Sequence, residues 1–212
     1  MKPTLVCFDL GRVLVRIVDD WAQAHAAAGL SGAPPIVDDP AVRTTVGALV
    51  HRLETGTLPP ADFVRACAEL IARPAPEVQA MLDAWIRGPY PGAIALLDEL
   101  LARGVRTACL SNTNERHWEL MSGWQAEAEL LWPRLQHRYA SHELKLRKPD
   151  PSIYAHVESL VAVPSEILFF DDLADNIAAA RARSWQAVQV LSREDPVREM
   201  RAELVRVGLL PH

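Results

Sequence analysis

The chain is poor in cysteine: three residues among 212, Cys7, Cys67 and Cys109, odd in number and far apart. That argues against a disulfide framework, and two of the three lie in apolar stretches where a free thiol behaves as a small hydrophobe. It also lacks an excess of positive charge, with 22 Lys and Arg against 27 Asp and Glu for a net charge of -5. Nucleic acid and anionic lipid both reward concentrated Lys and Arg, so neither is an expected partner. No window approaches about 18 uncharged apolar residues, which leaves no membrane-spanning helix to expect. The opening MKPTLVCFDL holds only a very short apolar run ending in Asp, too short for a signal h-region. His-X-His and Cys-X-X-Cys spacings are missing, as are repeats and low-complexity tracts. A soluble cytoplasmic protein is the expectation, and with half of its residues apolar and 23% charged it can bury a substantial core.

What is present is an alternation. Thr4 to Phe8 is almost wholly apolar and stops at Asp9 and Gly11, as suits a strand buried on both faces. From about Asp19 to Gly88 no strand-like run stands out; helices are expected near 20–28, 40–53, 60–72 and 76–86, with Pro40, Pro60 and Pro76 at their starts and Gly29, Gly56 and Gly88 at their ends. Helices and strands then alternate: helix 92–103, strand 105–110, helices between Glu115 and Leu135, a weak strand 138–140, helix 151–160, strand 167–170, helix 173–183, strand 187–191 and a last helix 196–207. This pattern builds an α/β fold, a Rossmann-like parallel sheet with helices on both faces and a small helical insert after the first strand. The core would comprise residues 1–15 and 89–212, and the insert residues 16–88.

In an open parallel sheet, ligands bind beyond the carboxyl ends of the strands. Asp9, Ser111, Asn112, Lys148, Asp171 and Asp172 all fall at such ends, so three carboxylates, a hydroxyl, an amide and an ammonium would converge on one rim. Crowded carboxylates raise one another's pKa unless a cation neutralises them, and hard oxygen donors at this density suit magnesium. Taken singly, each has a plainer reading: Asp9 as a turn residue, Asp171 and Asp172 as helix caps, Lys148 as a solvated loop cation.

The segments FDLGRVLV, CLSNTN, RKPDPSIY and FFDDLADN appear in that order. With them the chain resembles the haloacid dehalogenase superfamily of hydrolases, in its phosphatase branch with a C1-type helical cap. It is similar to bacterial sugar-phosphate phosphatases with DLGNV and LSNTN motifs, and akin to the amino-terminal phosphatase domain of soluble epoxide hydrolase. The resemblance implies Asp9 as nucleophile, and magnesium bridging Asp9, the main-chain carbonyl of Gly11, Asp172 and a substrate oxygen. Asp171 would bind the metal through water or hold its neighbour. Ser111 and the amide of Asn112 would hold the phosphoryl oxygens, Lys148 would neutralise both Asp9 and the phosphate, and Asn176 would brace the metal loop. The substrate implied is a small phosphate ester, with oligomeric state left open.

Gly11 departs from that pattern. Many of these phosphatases carry a second Asp two residues after the nucleophile, as general acid and base, a function worth roughly 10²- to 10⁴-fold. Either the substrate has a good leaving group, such as the anomeric oxygen of a sugar 1-phosphate, or another residue supplies the proton. Two other functions stay open: a 2-haloacid dehalogenase, against which the paired acids of FFDDLADN argue, and a non-catalytic phosphate-binding protein. Arg12 and Arg16 are left outside the expected site; His117 and His142 are read as surface or packing residues, and Trp21, Trp85, Trp118 and Trp124 as core or interface residues.

Overall fold

Alternate residues of the apolar strands point to opposite faces, and that period of two sorts the core into layers. In the computed structural model, which describes residues 2–35, 39–123 and 131–211, β1 (Leu5–Phe8) sends Leu5 and Cys7 to one face and Val6 and Phe8 to the other. β2 (Val15–Ile17) follows, then α1 (Trp21–Ala27), α2 (Pro40–Glu54), α3 (Pro60–Leu70) and α4 (Ala75–Asp83). Next come β3 (Ile86–Pro89), α5 (Ala93–Ala102), β4 (Arg106–Ser111), α6 (Glu115–Gly123), β5 (His137–Ala140) and the short α7 (Ser141–Leu144). The chain closes with α8 (Pro151–Glu158), β6 (Ile167–Asp171), α9 (Ala174–Ala182), β7 (Gln186–Gln189) and α10 (Pro196–Arg206).

Five strands form one parallel sheet in the order β5-β4-β1-β6-β7. α5 and α10 cover one face through Leu96, Leu97, Met200 and Leu204. The other face lies under α8 and α9, with Tyr154, Phe169 and Trp185 packed edge to face. The doubly covered parallel sheet expected from the alternation is therefore the observed fold. β1 is central, and the strand order reverses on either side of it, which puts a crevice at its carboxyl end.

Residues from Val18 to Trp85 form a third apolar cluster of their own, centred on Phe63, Cys67, Val78 and Met81. Pro40 and Pro60 open helices and Gly29 and Gly56 take positive φ, as expected. The end of the insert differs. The helix expected to reach Ile86 stops at Asp83, and Ile86–Pro89, including Gly88, is a strand paired antiparallel with β2. Both strands are short and flanked by helix or turn, so neither shows a local alternation. The expected limits of the insert, 16 and 88, fall inside this ribbon. Of the helices expected between Glu115 and Leu135, the stretch 124–130 with Trp124 lies outside the described residues.

Candidate active site

Four loops meet beyond the carboxyl edge of the sheet. Asp9 follows β1 directly, and its backbone N–H donates to Phe170 of β6 at 2.8 Å, which sets the two acidic segments side by side. Lys148 comes from the loop before α8, 36 residues after Asn112, and the two are clamped together. The Asn112 carboxamide donates to the Lys148 carbonyl at 2.9 Å and accepts from the Lys148 N–H at 2.8 Å. That carboxamide is consumed in positioning the lysine.

The Lys148 side chain, 1% exposed, reaches between two carboxylates, 2.9 Å from Asp9 Oδ1 and 2.7 Å from Asp171 Oδ2. Burial works against its charge, but Asp171 and Asp9 more than offset this and raise its pKa. Asp9 is pushed up to about 7, first by burial and then by the Asp171 and Asp172 carboxylates, against the pull of Lys148. One ammonium does not satisfy this cluster. Ligand oxygens of Asp9, Asp171 and Asp172 all lie within 4.8 Å of one another, a spacing and donor chemistry that fit a hard divalent cation.

The adjacent acids are held differently. Asp171 is fully buried; besides Lys148, its oxygens accept from the Leu173 N–H at 2.9 Å and from Asn176 Nδ2 at 2.9 and 3.0 Å. It thus holds the loop ahead of α9 and steadies the lysine; the plain reading of it as a helix cap does not hold, since the residue at the cap is Leu173 and no side chain caps that end. Asp172 turns toward the rim, where its Oδ2 meets Arg193 at 3.1 Å and Arg12 at 3.6 Å. Arg193 was not expected from the sequence, though it stands four residues past β7 on the same edge. Arg12, left outside the expected site, also pairs with Asp19 at 2.7 Å.

Gly11, Ser111 and Asn112 form one wall of a cavity of about 220 Å³ lying between the rim and the helical insert. Trp21 and Trp85, whose rings meet edge to face at 5.7 Å, line its apolar side. His117 lies on the cavity too, fixed by Asn114 Nδ2 at Nδ1 (3.0 Å) and by the Leu82 carbonyl at Nε2 (2.8 Å). That network assigns the Nε2–H tautomer, and burial lowers its pKa, so His117 ties α4 to the β4 loop as a neutral ring. Glu54, at the end of α2, also faces the cavity and had no signal in the sequence.

Comparison with known proteins places this chain in a family. A family model described as haloacid dehalogenase-like hydrolase matches residues 3–182. Among curated proteins, D-ribitol-5-phosphate phosphatase of Bacteroides thetaiotaomicron is 27% identical over 190 residues, covering 87% of this chain and 90% of that one. (S)-2-haloacid dehalogenase 1 of a Pseudomonas species is 34% identical over 112 residues, 52% of this chain and 48% of that protein. Among solved structures, a haloacid dehalogenase family enzyme of B. thetaiotaomicron, complexed with magnesium and inorganic phosphate, superposes with a TM-score of 0.69 at 20% identity, covering 88% of this chain and 93% of that one, a likeness of fold.

Proposed function

The chain belongs to the haloacid dehalogenase-like hydrolases, and from that premise we propose that it is a magnesium-dependent phosphomonoester hydrolase working through an aspartyl phosphate on Asp9. The observation that carries this reading is the buried Lys148 ammonium shared between Asp9 and Asp171 at the mouth of the crevice. A lysine so placed fixes the Asp9 carboxylate and presents positive charge to an incoming phosphate. Asp9 attacks phosphorus in line, and water then hydrolyses the acyl phosphate. Ser111 and the backbone N–H of Asn112 hold the phosphoryl oxygens, since the Asn112 carboxamide is already committed to Lys148.

Magnesium would be held by Asp9, the Gly11 carbonyl and Asp172, with Asp171 steadying its neighbour, and when bound it supplies positive charge where an anionic nucleophile meets an anionic ester. Residues 16–88 act as a cap that shields the rim from water and contacts the leaving group. The cavity of about 220 Å³ is below the roughly 300–1,000 Å³ typical of drug-sized ligands, and so admits a small metabolite. Similarity to a ribitol phosphate phosphatase over 87% of the chain supports a sugar or polyol phosphate.

The test is a phosphate-release screen over small sugar and polyol phosphates. Release that stops with chelator and returns with magnesium is expected. Metal-independent chloride release from a 2-chloroacid, without phosphatase activity, would make the protein a dehalogenase instead, and a stable phosphoenzyme without turnover would make it a phosphate-binding protein.

A further inference from the structure

The position that carries the general acid in many similar phosphatases is Gly11 here, which offers no side chain. A Cβ on Gly11 would come within 3.3 Å of Ile17 Cδ1, so a larger residue would press on the β2 side chain. Where the leaving alcohol is a poor one, its proton comes from elsewhere on the same cavity. Among its described lining residues there is one carboxylic acid, Glu54.

Glu54 is well fixed for such a task. Its carbonyl accepts from Ser141 Oγ at 2.6 Å, and the same hydroxyl accepts from the Thr113 N–H at 2.9 Å, with the Thr113 carbonyl at 3.0 Å competing for its one proton. Thr113 lies two residues beyond Ser111, so one buried hydroxyl couples the end of α2 to the loop proposed to bind phosphate. The Glu54 side chain is 18% exposed, and its Oε2 lies 2.8 Å from Arg147. That oxygen is fully buried and, despite the close approach, makes no well-aligned hydrogen bond. Burial raises the Glu54 pKa against the opposing pull of Arg147, with which it is ion-paired, and of Lys148. His117, the titratable group across the cavity, is held neutral and already hydrogen-bonded at both nitrogens.

We propose that Glu54, reaching the cavity from the helical insert, is the proton donor to the leaving alcohol that Gly11 cannot supply. This rests on the phosphohydrolase reading. As Asp9 Oδ forms its bond to phosphorus, the P–O bond to the alcohol breaks, and the departing oxygen takes the Glu54 proton. The Glu54 carboxylate then accepts a proton from the water that attacks the aspartyl phosphate. The P–O bond to Asp9 breaks, phosphate leaves, and both acids return to their starting states. The insert would therefore complete the chemistry as well as cover it.

Glu54→Gln separates this function from a structural one, because a phenolate leaves unaided and a polyol alkoxide does not. With a polyol phosphate, kcat/KM, which reports formation of the phosphoenzyme, should fall roughly 10²- to 10⁴-fold, while kcat/KM for 4-nitrophenyl phosphate and the thermal midpoint stay near wild type; kcat should fall on both esters, since both pass through the aspartyl phosphate that Glu54 helps to hydrolyse. Should Glu54→Gln fail to fold, Glu54→Asp, which withdraws the acid by one methylene, should give the same selectivity with a smaller loss. Equal losses of kcat/KM on both esters, or no loss on either, would overturn the assignment of Glu54 and leave the hydrolase standing. Wild-type protein that releases phosphate from neither ester would remove the underlying reading and this inference with it.

Discussion

The charged groups at the sheet rim and those that join the helical insert to the core obey different physics. At the rim, Lys148 and Asp171 are 1% and 0% exposed, and the pairing lies inside the fold. At the junction, Arg116 grips Asp83 with two bonds of 2.8 and 2.7 Å, yet the side chains remain 36% and 30% exposed. Burying an ion costs several kcal/mol before its partner returns anything, whereas an exposed pair is worth roughly 0–1 kcal/mol. Apolar residues of similar volume would stabilise the rim as well or better. Stability therefore does not account for the rim charges, which fits the proposed chemistry; at the junction, weak pairs would suit the proposed cap.

The largest expected effect isolates the rim's chemistry from its packing. Asp9→Asn keeps shape and burial but removes the proposed nucleophile, so turnover should fall on the order of 10⁶-fold, the size seen when a hydrolase loses its covalent nucleophile. Folding should survive, because burial disfavours the charge that is removed. Measurable turnover near wild type would dissolve the contrast between the two regions. Lys148→Met comes next. It strands Asp9 and Asp171 without their cation, and loss of one partner of a buried pair costs about 3–5 kcal/mol. Urea unfolding at neutral pH should show that loss; a change below about 1 kcal/mol would mean that the rim pairing resembles the junction after all.

Legibility follows the same divide. β1, β4 and β6 could be read because each is a continuous apolar run buried on both faces, and Asp9, Ser111 and Asp171 could be read because they end those runs. The β2–β3 ribbon could not. Its strands are 3 and 4 residues long and their partners lie some 70 positions apart, so only tertiary pairing reveals them. The same holds for the partners. Nothing local tells that Asn112 spends its carboxamide on the Lys148 backbone, or that Asp171 is filled by Leu173, Asn176 and Lys148 while Asp172 faces the arginines. Arg193 lay within reach of the strand-end rule, four residues past β7. Glu54 did not, since a glutamate ending an amphipathic helix looks like any solvated residue until the insert is folded over the rim.

The smallest expected effect probes the junction. Asp83→Asn retains the volume at the end of α4 and removes the charge that Arg116 grips. The side chain is about a third exposed, so solvent screens the pair and the cost should be about 0.2–1 kcal/mol. A second tie remains, because the Leu82 carbonyl still accepts from His117. The pH dependence has a definite sign. Although burial opposes ionisation, the hydrogen bonds from Arg116 and Gln79 hold the Asp83 carboxyl below its ordinary pKa. The wild-type contribution is thus present above the unfolded pKa of about 3.9 and disappears as the pH falls through the lower folded value. Wild type and Asp83→Asn should differ in thermal midpoint at pH 7 and converge on acidification below about 4. In kinetics, looser seating of the insert should raise KM for a phosphate ester with kcat nearly unchanged, as α4 and the β4 loop both line the cavity. A loss of several kcal/mol, or a collapse of kcat with KM unmoved, would show that the junction is as rigidly built as the rim.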